Sequence, residues 1–205
     1  MQRKIVLNTP LSLLDEFVFD FVDCLEKVGI RYVIISGYVA IALGRSRATE
    51  DVDIFIRKVT LQENSSLWTE LNKKFECLNA FSAHEAFEFL DTGTALRFFQ
   101  KGGEWEPNVE VKVVKNDLDK NALENPFSLV LRGKTLKISP LEQQIAFKLY
   151  LGSEKDEEDA LHLYVKLCDF LDKSLLMNYC SELNVEKEKV MQLEEKKSLG
   201  AKFRP

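Results

Sequence analysis

The segment Asp51-Val-Asp-Ile-Phe-Ile56 constrains this chain more than any other six residues. Its period-two alternation reads as a strand with Asp51 and Asp53 on one face and Val52, Ile54 and Ile56 on the other. Two carboxylates side by side repel each other and are poor strand formers, so the pattern calls for a compensating cation. A divalent metal is the natural candidate. Mg2+ or Mn2+ takes one or two carboxylates and leaves its other positions to water and substrate phosphates, which makes Asp51 and Asp53 the expected ligands. A bare Asp-x-Asp also fits a sheet edge with two solvated aspartates, so the flanking residues must decide.

Arg31 to Ser36 is a short apolar run rich in β-branched residues and reads as a buried strand. It ends at Gly37, where an exposed backbone at a helix start can meet phosphate oxygens. Tyr38 to Leu43 is expected to form a helical turn, followed by the polar loop Gly44 to Glu50. Within that loop Arg45 and Arg47 offer forked cationic donors suited to phosphate. Taken singly, Gly37 is a turn residue and the arginines belong to a solvated loop; taken together with the aspartates they describe a nucleotide pocket.

The rest of the sequence divides by periodicity. Leu13 to Val28 shows helical spacing between a Ser12 cap and a Gly29 stop, and helices are expected over Leu61 to Phe75 and His84 to Leu90. Strands are expected at Ala95 to Gln100, Val109 to Val114, and in a hairpin of Ser128 to Leu131 with Thr135 to Ile138. Ser139-Pro-Leu-Glu142 carries a capping-box signature, and helices are predicted from there through Ser198. The fold class is therefore α+β, a small mixed sheet flanked by helices over 1–138, with a helical C-terminal region over 139–205 packed on it.

Twenty-eight basic and 33 acidic side chains give a formal charge of -5, so the chain as a whole has no attraction for phosphate polymers. Cys24, Cys77, Cys168 and Cys180 are scattered among apolar residues and read as reduced core thiols. The basic start Met1 to Pro10 lacks the apolar stretch of a signal peptide, and no segment is apolar enough to span a bilayer; a cytoplasmic protein without membrane contact is expected. His84 and His162 are isolated and receive no role.

The run Ile35-Ser-Gly-Tyr through Asp51-Val-Asp-Ile54 resembles the signature of the nucleotidyltransferase superfamily: an apolar strand, a Gly-Gly or Gly-Ser pair, a spacer, then Asp-x-Asp. It is most similar to the minimal, abortive-infection toxin-like branch, whose Arg-x-Thr-x-Asp-x-Asp run is matched by Arg47, Thr49, Asp51 and Asp53. Lys148 and Lys155-Asp156-Glu-Glu-Asp159 match two further features of that branch. The resemblance implies transfer of a nucleoside monophosphate from a nucleoside triphosphate to a hydroxyl on RNA such as tRNA, on protein or on a small molecule such as an antibiotic. It also implies an antitoxin or a second copy as partner.

In that scheme Asp51 and Asp53 hold the metal, while Gly37, Arg47, Thr49 and Lys148 bind nucleotide. Glu110 serves as a third acid or base, with a Glu110–Lys112 pair on a solvated sheet face as the other reading. Lys148 points into the cleft or snorkels to solvent, and Asp156 and Asp159 act in the site or simply cap a helix. Tyr38 departs from the pattern, standing where the superfamily places its second Gly or Ser. That departure favours the alternative of a degenerate fold acting as a nucleotide- or partner-binding module.

Overall fold

The computed structural model describes residues 3–202. Met1, Gln2 and Phe203 to Pro205, the outer ends of the two expected regions, lie outside the described residues. The chain divides into two compact units, Met1–Val39 with Arg47–Ser139, and Ala40–Ser46 with Pro140–Pro205.

The first unit is built on one eight-stranded mixed sheet. In chain order it contains β1 (Lys4–Leu7), α1 (Leu13–Val28), β2 (Tyr32–Ile35), the start of α2 (Gly37–Ala42), β3 (Asp51–Ile56), α3 (Leu61–Leu71) and β4 (Phe75–Cys77). It continues with α4 (Ala83–Thr92), β5 (Leu96–Gln100), β6 (Asn108–Val113), α5 (Asp117–Glu124), β7 (Phe127–Leu131) and β8 (Lys134–Ile138). The strand order is β1-β7-β8-β2-β3-β6-β5-β4. At its centre β3 runs antiparallel to β2 and parallel to β6.

Alternation along these strands gives the sheet two unlike faces. One carries Val52, Ile54, Ile56, Val109, Val111 and Phe98, all buried. Helix α1 supplies Phe17 and Phe21, whose rings meet Phe75 edge-on at 5.7 and 5.1 Å; Phe21 also lies 5.6 Å from Phe98. Helix α1 starts where expected, because Ser12 and Asp15 exchange side-chain and backbone hydrogen bonds in a capping box, and it stops at Gly29 with φ 76°.

At one end the opposite face is covered by α5. Ala122 and Leu123 pack on Val33 together with Ile35, Phe55 and Val114. Further along the same face of β3 come Asp53 and then Asp51, both half-buried. The hydrophobic cover thus ends where the acids begin.

Three differences from the sequence expectation have physical causes. The strands β1 and β4 were not expected and are the two edges of the sheet, four and three residues long, too short for alternation to register. The end of the predicted Leu61–Phe75 helix is β4, since the helix stops at Leu71 and Phe75 pairs with Gln100. At the third, the helix expected after Ser139 runs Leu141–Leu151 with Pro140 at the cap position, and the fully buried Glu142 also accepts a 2.7 Å hydrogen bond from the Asp172 amide, a long-range contact that local spacing does not show.

The second unit is helical, with α6 (Leu141–Leu151), α7 (Glu154–Leu167), α8 (Lys173–Glu182) and α9 (Lys187–Lys202). Helix α6 packs against α7 and α8, and α7 against α9. All four cysteines are free, Cys24 and Cys180 fully buried. Among the described residues no helix is long and apolar enough to cross a membrane.

Candidate active site

Two clusters gather around β3 in the first unit. The first forms around Gly37. A Cβ added there would stand 2.7 Å from Arg47 Nη2 and 3.3 Å from Thr49 Oγ1, so the glycine is what lets the guanidinium and the hydroxyl lie against the start of α2. Thr49 donates a 3.0 Å hydrogen bond to the Asp51 carbonyl, which ties the loop to the first residue of β3. Ser36, with φ 62°, makes the sharp turn from β2 into α2.

Tyr38 takes no part in this cluster. Its ring is fully buried, and its hydroxyl donates a 2.7 Å hydrogen bond to Asp15. Burial and the Asp15 carboxylate both raise the pKa of the phenol, keeping it neutral. The bulky residue that replaces the second Gly or Ser is therefore directed into the interior.

The second cluster lies across β3, β6 and β5. Asp53 is in register with Glu110, and Glu110 with Arg97, so the three share one face. The Lys112 ammonium stands 2.5 Å from Asp53 Oδ1 and 2.6 Å from Glu110 Oε2, while Arg97 Nε donates to Glu110 Oε1 at 2.5 Å. Burial pushes the Asp53 carboxyl above the ordinary value against the opposing pull of Lys112. At Glu110 burial also acts upward, but the hydrogen bonds and charges of Lys112 and Arg97 outweigh it and hold the carboxyl low.

The expected Glu110–Lys112 pair is present, but the face is not solvated there, because Glu110 is only 6% exposed. Arg97 was invisible to sequence reasoning, since its place opposite Glu110 depends on strand register and not on local spacing.

Lys148 belongs to the second unit. It is 2% exposed, and its ammonium is held by Asp159 at 2.8 Å and Asp156 at 3.1 Å, so it does not snorkel to solvent. Asp156 also sits in the first turn of α7, where Ser153 caps its amide. Arg45, in the loop segment of the same unit, pairs with Glu158 and Asp159. His84 is exposed, and His162 Nε2 contacts the Leu43 carbonyl at 3.1 Å.

Solved structures share this architecture. An antigenic nucleotidyltransferase-like protein from Paracoccidioides brasiliensis superposes with a TM-score of 0.52 at 21% identity, covering 91% of this chain and 95% of that one. The antibiotic-resistance factor ANT(2'')-Ia in solution gives 0.52 at 12% identity, covering 88% and 94%. Its complex with adenylyl-2''-tobramycin gives 0.52 at 11%, covering 84% and 98%. The fold is that of the nucleotidyltransferases. At the level of sequence no protein-family model and no curated protein matches the chain.

Within this nucleotidyltransferase fold the donor set at β3 fits a divalent ion. Asp51 and Asp53 are hard oxygen donors on one strand face, both partly buried and the Asp53 side chain 13% exposed, a pair that suits Mg2+ or Mn2+ completed by water and phosphate oxygens. Among the described residues no three acids, histidines or cysteines converge as a ligand cluster. Glu110 is close in register, yet both its oxygens are engaged by cations. A cleft of ≈ 920 Å³ in the first unit touches Arg47 and Thr49, and its other walls include Leu13, Phe17, Lys73 and Pro107. None of the three acids lines this cleft.

Proposed function

We propose that this protein transfers a nucleoside monophosphate from a nucleoside triphosphate to an acceptor hydroxyl. The observation that carries the reading is the position of Asp51 and Asp53 on one face of β3, with Gly37, Arg47 and Thr49 gathered at its start. An oxygen of the acceptor bonds to the α-phosphorus, the bond from that phosphorus to the bridging oxygen breaks, and pyrophosphate leaves. A divalent ion held by Asp51 and Asp53 supplies neutralisation of the triphosphate charge.

This chain's own groups do the rest. Gly37 allows close backbone approach, and Arg47 offers a planar fork to the phosphates. With Asp51 and Asp53 engaged as ligands, the proton of the acceptor hydroxyl passes to water. The acceptor is a hydroxyl of RNA, protein or small molecule. In favour of the small molecule, one fold neighbour is seen with adenylyl-2''-tobramycin. In favour of the toxin-like branch, with an antitoxin or second copy as partner, stands the Arg47-to-Asp53 run.

The test offers each α-labelled triphosphate with Mg2+ to total RNA, cell protein and aminoglycosides in turn, and asks which acceptor gains label. A second reading, a module that binds nucleotide without transfer, is favoured by Lys112 standing on Asp53. Mg2+-dependent thermal stabilisation by triphosphates without any labelled acceptor selects it.

A further inference from the structure

The nucleotidyltransfer reading gives work to the acids but none to Lys112, although Lys112 touches two of them. Asp51, Asp53 and Glu110 bring three negative charges to one sheet face, and Lys112 and Arg97 return two positive ones. The two cations are not equivalent. Arg97 is bound to Glu110, whereas among the described residues Lys112 is the cation on Asp53. Its ammonium lies between Asp53 Oδ1 and Glu110 Oε2, with the side chain one-third exposed and the two carboxylates far less so.

We infer that Lys112 is a built-in counter-cation that competes with the divalent ion for Asp53, and that Glu110 is the carboxylate that keeps it when it lets go. The inference rests on Asp51 and Asp53 being the metal ligands. An ammonium at hydrogen-bond distance takes up oxygen lone pairs that a metal needs, and two cations on one carboxylate repel. A nearly buried carboxylate left unpaired is costly, so in the metal-free protein an internal cation offsets that cost.

The residue type suits the task. Lysine is a point charge on a flexible four-carbon stem, able to turn from Asp53 to Glu110, whereas a rigid guanidinium fork is not. Glu110, in register beside Asp53 and already 2.6 Å from the ammonium, keeps the displaced charge paired. Arg97 on the other Glu110 oxygen fixes that carboxylate in place. On this account Glu110 is a positioning residue and not a metal ligand.

The experiment is a Mn2+ titration of the full chain without nucleotide, read by the electron paramagnetic resonance signal of free Mn2+. Lys112→Met removes the competitor and is expected to bind Mn2+ about fivefold or more tightly than the unaltered protein, the order expected for removing one nearby, partly screened charge. Lys112→Arg keeps the charge and should not show the gain. Lys112→Gln retains a donor for Glu110 and takes the place of Lys112→Met if that variant does not fold, as judged by circular dichroism. Uncharged variants that fold yet bind Mn2+ no more tightly than the unaltered protein overturn the inference while leaving the metal site standing. Absence of saturable Mn2+ binding in every protein, including the uncharged variants, overturns the metal reading itself.

Discussion

Tyr38 and Asp15 are joined by a 2.7 Å hydrogen bond in the interior of the first unit, and that bond decides where the residue after Gly37 points. With its ring fully buried and its hydroxyl held by the same carboxylate that caps α1, Tyr38 works for stability. Tyr38→Phe should therefore lose about 1–3 kcal/mol, since a buried acceptor loses its donor. Urea denaturation reads that loss, and the KM for triphosphate should stay within experimental error. A raised KM at unchanged stability would put the ring in the nucleotide site.

The Lys148–Asp159 pair makes a second stability prediction. Both side chains are almost fully buried, 2.8 Å apart, and removing one leaves the other its second partner alone, Asp156 for Lys148 and Arg45 among those of Asp159. Lys148→Met and Asp159→Leu should each cost about 1–3 kcal/mol, whereas the double variant should lose distinctly less than the sum. Strictly additive losses in a denaturant double-mutant cycle would show that the pair is not coupled.

How far the sequence carried these conclusions depends on the range of each interaction. The segment from Ile35 to Ile56 was legible because its information is local: alternation in β3, β-branched residues in β2 and a glycine between them. Lys112 was placed on the face of Glu110 by the same alternation. Arg97 opposite Glu110, Asp15 beneath Tyr38, and Asp159 against Lys148 are long-range pairings, which depend on register and packing. Glu142 shows the same limit, since its bond from the Asp172 amide spans 30 residues.

Asp53 and Glu110 should respond oppositely to pH. The Asp53 carboxyl is raised in the folded chain, so between its ordinary and raised values the folded state holds the more protons, and stability falls as pH rises through that window. Asp53→Asn is then at least as stable as the unaltered protein at neutral pH, and the advantage fades on acidification. The Glu110 carboxyl is lowered, so its contribution is present above the ordinary value and is lost as pH falls towards the lowered one. Glu110→Gln should cost about 1–3 kcal/mol at neutral pH, and that deficit should close in acid. Denaturation midpoints across pH check both signs.

Gly37→Ala tests the close approach around Arg47. The new methyl would overlap the tip of a flexible side chain, so the fold should survive with the guanidinium displaced. Triphosphate affinity should drop by roughly tenfold or more, the worth of one charge-assisted hydrogen bond. Calorimetric titration gives the number; unchanged affinity would remove Arg47 from phosphate binding.

The most direct test of the central claim compares the unaltered protein with Asp51→Ala/Asp53→Ala in transfer of label from α-labelled triphosphate and Mg2+ to RNA, protein and small-molecule acceptors. The account predicts a labelled acceptor and released pyrophosphate with the unaltered protein, and neither with the variant, whose circular dichroism should match. Equal labelling by the two proteins would contradict it.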